Sequence, residues 1–180
     1  EGSIVAMTDK TLAMGDEVRY GTRHLNLGLS SINVGSAEAL AAAAAGKRLP
    51  TGLTLTQPVL DRLLRGDTQF GAPALETLQL SARDSFNFYG TAALDTYDAV
   101  TGKSLLSKLM LSTPAIYGDG GAGEVATIRT ANLIWQGAVT PASAVVAGGA
   151  GTGGGRLNIN AERIEFGYGE FSQPSTIKTF

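Results

Sequence analysis

Residues that commonly carry catalysis or bind metals are scarce in this chain. Its 180 residues include no cysteine and one histidine, His24. Without cysteine there is no thiolate nucleophile, no disulfide, and no thiolate ligand for zinc or an iron–sulfur cluster. A zinc site or a serine–histidine triad would depend on His24 alone. We therefore predict that the protein holds no metal or cofactor and that it is not an enzyme.

Acidic residues, the other common source of acid–base chemistry, are scattered along the sequence. Asp95 and Asp98 lie close together, but they stand among threonines, where turn formation is the simpler interpretation. Glu162 and Glu165 flank the apolar Ile164 and are expected on the solvent side of a strand. Hydrolysis of a polysaccharide requires carboxylates gathered at one site, and the sequence predicts no such cluster.

One tripeptide has the chemistry of a receptor ligand: Arg65-Gly66-Asp67, the sequence that integrins read. We take these three residues as a candidate binding site for a host-cell receptor. The alternative is structural, because Gly66 follows a predicted helix and glycine commonly ends a helix. Arg65 would then lie in the last helical turn, where the helix dipole favours a positive charge. Receptor recognition also requires the tripeptide to lie on an exposed loop tip.

The overall composition argues against two classes of partner. Fourteen basic and 16 acidic residues give a net charge of −2, whereas a nucleic-acid interface needs a basic surface. The longest apolar tract, Ala39–Ala45, is too short to span a bilayer. We therefore expect no nucleic-acid partner and no membrane insertion. The 24 glycines and the 17% share of charged residues favour many tight turns, as in all-β proteins with short strands.

A two-strand unit recurs along the chain. Each copy has apolar residues at alternate positions, then a small residue, a short polar step and a second apolar pair, often followed by glycine. Such a unit cannot bury its apolar face alone, but stacked copies bury it continuously. The clearest copies begin at Leu25, Leu78, Leu109, Ala126 and Leu157.

Stacking of these units predicts an all-β fold, a right-handed parallel β-helix, as a single segment over residues 1–180. Alternate residues of a strand face inward, and the closing glycines are expected to adopt positive φ. Phe88 and Phe166 are predicted inside, in an aromatic ladder. Four core residues are expected to align from unit to unit: Leu80, Leu111, Ile128 and Ile159.

Two segments interrupt the strand pattern. Residues 36–46 predict a short helix, with Ser36 as its N-cap and Gly46 as its stop. Residues 57–66 predict a second helix, and both helices are expected to cover the flank or one end of the solenoid. The irregular spacing of the units predicts loops at residues 91–107 and 136–156.

Three stretches, Leu78–Gly90, Thr113–Gly118 and Ala161–Gly169, resemble the filamentous haemagglutinin family. These are large exoproteins that Gram-negative bacteria export by two-partner secretion, and the similarity is closest to a region toward their carboxy-terminal part. The resemblance implies an extended parallel β-helix, a fragment of a longer protein that is secreted or held on the bacterial surface. It also implies two kinds of partner: an outer-membrane transporter for the full-length protein, and a host-cell receptor or neighbouring cell surface.

The expected function is therefore structural and adhesive, namely attachment to a cell or host with a role in virulence. Two alternatives remain open. A stalk of a contact-dependent toxin-delivery exoprotein would use the same rod. A β-helix protein that binds or cleaves polysaccharide would instead show a carboxylate or aromatic cluster on one outer face.

Overall fold

The computed structural model describes residues 2–15, 17, 21–137 and 150–167. Over these residues the chain is all-β with two short helices, and its strands join in one parallel sheet. The helices are α1 (Ala37–Ala45) and α2 (Gln57–Arg65), and a 3₁₀ turn covers Thr68–Phe70. The strands are β1 (Ser3–Thr8), β2 (Leu12–Ala13), β3 (His24–Gly35), β4 (Leu53–Thr56), β5 (Thr77–Tyr89), β6 (Ala92–Asp95), β7 (Lys108–Ser112), β8 (Ile116–Asp119), β9 (Val125–Gln136) and β10 (Arg156–Phe166).

Strand pairing arranges these segments in three rows of parallel strands. Row A contains β1, the first halves of β3 and β5, β7, and the second halves of β9 and β10. Row B contains β2, β4, the second halves of β3 and β5, and β8. Row C contains β6 and the first halves of β9 and β10. Each long strand therefore passes from one row into the next.

The predicted alignment of core residues is right for two residues and wrong for the other two. Leu80 pairs with Leu111 in row A, and both side chains are buried. Ile128 and Ile159 pair with each other in row C, where they follow Leu94. The reason is that the units at Leu25, Leu78 and Leu109 run from row A to row B, whereas those at Ala126 and Leu157 run from row C to row A. The next residue after Leu111 in its line is therefore Trp135.

The predictions for aromatic residues and for closing glycines are each right at one residue and wrong at another. Phe88 is buried as predicted, whereas Phe166 is 62% exposed although its ring lies 5.8 Å from that of Trp135. Gly90 has the positive φ of 66° expected of a closing glycine. Gly35 does not, and is needed for a different reason: a Cβ there would lie 2.5 Å from the carbonyl oxygen of Tyr89.

Both helices lie within the segments where the sequence predicts them. Ser36 caps α1, since its hydroxyl accepts a hydrogen bond from the Ala39 N–H at 3.1 Å. The prediction of a loop over residues 91–107 is wrong in part, because this segment contains β6, the first strand of row C. β6 was missed because it is four residues long and two of them are alanine, which gives a weak alternation signal. Of the predicted loop 136–156, residues 138–149 lie outside the described residues.

Helix α2 closes one end of row C. Its apolar face packs into the core through four buried residues, and its first residue, Gln57, bonds to the free edge of β6. The Gln57 side-chain amide donates to the Ala93 carbonyl at 2.7 Å and accepts from the Ala93 N–H at 2.8 Å. The amide thus satisfies backbone groups that a neighbouring strand would otherwise pair. The four buried residues are Val59, Leu60, Leu63 and Leu64.

No helix among the described residues is long and apolar enough to cross a membrane.

Candidate functional site

An open groove of about 440 Å³ lies between α2 and the outer face of row C, and we call it the row C groove. One wall is a polar stripe on α2, whose residues are four positions apart and so share one helix face: Gln57, Asp61 and Arg65. The floor comes from strands β6 and β9 and the residue before β6: Thr91, Ala92, Ala93, Asp95, Val125 and Thr127.

The α2 wall carries one carboxylate and one guanidinium that pair with each other. Asp61 accepts a hydrogen bond from Gln57 Nε2 at 3.0 Å, and its Oδ1 lies 3.3 Å from Arg65 Nη1. The side chains of Asp61 and Arg65 are 41% and 43% exposed, so this pair contributes about 1 kcal/mol or less to stability. Gln57 therefore has two tasks, because the same amide fixes β6 and orients Asp61.

The floor of the groove ends in a network that crosses three strands. Asp95 accepts from the Tyr97 N–H at 2.9 Å, and its second oxygen lies 3.4 Å from Arg129 Nη1. The Arg129 guanidinium lies 4.2 Å from the centre of the Tyr97 ring, a cation–π geometry. The Tyr97 hydroxyl donates to Glu162 at 2.8 Å, and this bond raises the pKa of the tyrosine, since it stabilises the protonated phenol.

The network is a carboxylate and aromatic cluster on one outer face. Asp95 lies at the end of β6, Arg129 on β9 and Glu162 on β10, and Tyr97 follows β6. These residues present hydrogen-bond donors and acceptors side by side. Within the described part of the chain, no group of three or more histidine, cysteine, aspartate or glutamate side chains is placed to hold a metal ion.

The predicted receptor tripeptide borders this groove but does not form a loop tip. Arg65 is the last residue of α2 and lines the groove. Gly66 has a φ of 67°, and a Cβ there would lie 2.5 Å from the Pro73 carbonyl oxygen, so the position requires glycine. Asp67 closes a small loop through two backbone hydrogen bonds to Ala72, at 2.9 and 3.0 Å.

The tip of that loop is formed by residues 68–71, where Phe70 is 64% exposed. Arg65-Gly66-Asp67 therefore lies at the base of the loop, and the Gly66 N–H bonds to the Arg62 carbonyl as in a helix stop. The geometry agrees with the structural interpretation of the glycine. Receptor binding by the tripeptide stays a prediction.

Three other residues considered for chemistry do not line the groove, although one of them, Asp98, is close enough to Arg65 for the two charges to interact: His24, Asp98 and Glu165. His24 lies in row A, where its Nδ1 is 2.8 Å from the Thr77 hydroxyl, whereas Asp95 and Asp98 accept hydrogen bonds from the backbone of Tyr97 and Thr101. Asp98 accepts from the backbone N–H groups of Val100 and Thr101, as expected of a turn residue. These bonds hold the pKa of Asp98 below its usual value, with the Thr101 N–H as the largest cause. Glu165 is exposed and pairs with Arg163 at 2.7 Å.

Sequence analysis missed most of the groove. Asp61, Tyr97 and the pair Thr127 and Arg129 come from three separate segments, and only the fold brings them to one surface. The available signal was local: polar residues at 57, 61 and 65 form a stripe on the face of α2 opposite to its apolar residues. That stripe predicts an exposed helix face, but it does not predict what lies across from it.

Comparison of the chain with protein-family models, with curated proteins and with solved structures gave no match. The resemblance to filamentous haemagglutinins is therefore a hypothesis about this chain.

Proposed function

We propose that the chain is a segment of right-handed parallel β-helix from a secreted bacterial surface protein, and that its function is structural and adhesive. The observation that carries this proposal is the order in which the chain visits the rows from β5 to β9. Before β5 the order differs, because β4 follows the second half of β3 in row B again. The chain then passes through rows A and B in β5, row C in β6, row A in β7, row B in β8, and rows C and A in β9. A solenoid repeats its faces in a fixed cyclic order in this way.

The ends of row A support extension of the same stack. β1 has β3 as its partner and β10 has β9, so each leaves one edge without a strand among the described residues. In β1 and β10, three residues that pair with buried core residues of the adjacent strand are themselves exposed: Ile4 at 41%, Ile164 at 38% and Phe166 at 62%. A further coil at either end would bury them. This is what a longer exoprotein of the filamentous haemagglutinin type would provide, after export by its outer-membrane partner.

A second candidate function, polysaccharide binding, is favoured by one specific observation. The cluster of Asp95, Tyr97, Arg129 and Glu162 on the outside of row C is the feature expected of that class. Adhesion and polysaccharide binding are compatible, since an adhesin attaches through whatever ligand its outer face binds. A stalk for toxin delivery would share the rod and differ in the domain attached to it.

Adhesion is tested with the purified chain immobilised on beads. We expect these beads to adhere to epithelial cells or to bacteria in a saturable manner, and we expect free folded chain to compete. Beads coated with the unfolded variant Leu80→Asp serve as the matched control. If the folded chain gives no more adherence than this control, the adhesive part of the proposal is wrong. A crystal structure with left-handed coils would contradict its fold.

The same assay tests the tripeptide. If a receptor reads Arg65-Gly66-Asp67, the variant Asp67→Glu lowers adherence to integrin-bearing cells, because the added methylene displaces the carboxylate. The matched control is Asp84→Glu, the same change beside Arg83 on another surface. Equal adherence by the parent and Asp67→Glu proteins would show that the tripeptide is only a helix stop.

A further inference from the structure

We infer that the row C groove binds a neutral oligosaccharide built of hexose units. This inference names the ligand class for the proposed attachment function and in that sense rests on it. Four features of the groove support this inference: paired charges, unused hydrogen-bonding capacity, an apolar floor and a polar surface that continues along the stack.

Each carboxylate that lines the groove is paired with a guanidinium. Asp61 is paired with Arg65 on the α2 wall, and Asp95, at the end of the floor, is paired with Arg129 beside the groove. Each sugar hydroxyl is both a donor and an acceptor, so adjacent carboxylates and guanidinium groups can satisfy it from both sides. A polymer of uronic acids or sulfated sugars would bring like charges against Asp61 and Asp95, which disfavours it.

The paired carboxylates and guanidinium groups can form further hydrogen bonds with a ligand. A carboxylate offers about four acceptor positions, and Asp95 accepts from the Tyr97 N–H and, at the longer distance of 3.4 Å, from Arg129. Asp61 accepts from Gln57 and Arg65 and is 41% exposed. A guanidinium has five N–H donors, and Arg129 directs one nitrogen at Asp95. The α2 wall and the end of the floor can therefore accept and donate further hydrogen bonds without breaking their present ones.

The middle of the floor is apolar and fixed. Ala93, Val125 and the methyl group of Thr127 offer a surface for the C–H face of a sugar ring. The floor lies on paired strands, and the wall is held to it by the two bonds between Gln57 and Ala93. A groove built on rigid elements loses little conformational entropy when a ligand binds.

The lining continues along the stack beyond the groove. Thr127 pairs with Asn158 and Arg129 pairs with Asn160, so two outward lines end in exposed amides on β10. An amide, like a hydroxyl, donates and accepts. The polar surface therefore crosses three successive strands of row C, about 10 Å at the usual strand spacing. This length suits about two linked sugar units.

Binding is measured with three probes on the folded chain: cellohexaose and maltohexaose as neutral polymers, and trigalacturonate as a charged one. Calorimetry and amide NMR shifts report affinity and location. We expect one of the neutral probes to bind and to shift the amides of Thr127 and Asp95, with trigalacturonate binding about tenfold more weakly or worse. No binding of either neutral probe at millimolar concentration, or tighter binding of trigalacturonate, overturns the inference.

The variant Thr127→Trp fills the floor and is expected to abolish this binding, whereas the matched control Glu165→Trp, at an exposed position of β10 in row A, leaves it unchanged. Thermal melts establish that both variants fold. Binding that survives Thr127→Trp in a folded protein overturns the assignment to the groove. If the neutral probes fail while chain-coated beads still adhere to cells, the ligand inference fails and the attachment function stands. If the probes bind but the beads do not adhere, attachment fails and the sugar site stands.

Discussion

Strands β5 and β10 carry the same local pattern and have different surroundings. Leu78 and Leu80 of β5 are each 1% exposed, whereas the corresponding Leu157 and Ile159 of β10 are half-buried. The contrast grows in the second halves of the strands, where Phe88 is 1% exposed in β5 and Phe166 is 62% exposed in β10. β5 has strands paired on both sides, but β10 has β9 as its one partner among the described strands. The neighbours in the stack therefore set how deeply a side chain is buried, whereas the pattern within a strand sets which side chains face inward.

The largest effect is expected from a charge inside β5. Leu80→Asp would bury a carboxylate between Leu27 and Leu111 with no cation to pair with it, and burial of an unpaired charge is prohibitive. We expect this variant to be unfolded by circular dichroism. The milder Leu80→Ala should fold and lose about 2–5 kcal/mol in urea unfolding, as for other buried leucines. A cooperative Leu80→Asp protein with unchanged melting would show that row A is not the core.

The same substitution in β10 should cost much less. Ile159→Asp lies half-buried at the end of row C, where water can reach the carboxylate. We expect a folded protein that is destabilised by about 1–2 kcal/mol, with faster amide exchange confined to β10. If Ile159→Asp unfolds the chain as Leu80→Asp does, β10 is covered on its free side and the contrast between the two strands disappears.

At its other end row C is covered by α2, and removing a contact between α2 and β6 should have an effect of intermediate size on stability. Gln57→Ala removes the amide that bonds Ala93 at the edge of β6, and it leaves that N–H and carbonyl without their partner. Since water can partly replace the amide, we expect a loss of about 1–2 kcal/mol in urea unfolding. Gln79→Ala is the matched control, because its amide reaches only the Ser81 hydroxyl, at 3.4 Å. Equal effects of the two variants would show that α2 covers row C through its apolar face alone.

The sequence predicts those parts of the fold that depend on residues close together in the chain, and it does not predict which distant strands pair. Alternation within Leu78–Tyr89 is local, and it predicts a strand, its inward face and the bend near Ala82. Which strands pair depends on how many rows the chain passes through before it returns to the same row. The residues within one strand do not reveal that number. Leu109 pairs with Leu133 because β8 and the first half of β9 complete the turn of the chain between them. The unit beginning at Ala126 looks like the next copy, but it occupies a different row.

The candidate site shows the same division. The tripeptide at residues 65–67 was visible because its residues are contiguous, yet the fold places it at the base of a loop. The pair of Asp95 and Arg129 was invisible, because the two residues are brought together only by the register of β6 on β9. Chemistry assembled across strands can be predicted once the register is known, and a single sequence does not supply the register.

The smallest effect is expected outside the stack, in the turn at Asp98. The ionised carboxylate accepts hydrogen bonds from the Val100 and Thr101 N–H groups, so its pKa in the folded protein lies below the usual 3.8. The contribution of a group with a lowered pKa is present above the unfolded value and is lost as the pH falls through the folded value. We therefore expect the amide shifts of Val100 and Thr101 to titrate with a midpoint below 3.8, while the melting temperature hardly follows this step because the turn is exposed. Asp98→Asn should abolish the transition, and a midpoint at the ordinary value of 3.8 would mean that the turn is not formed in solution.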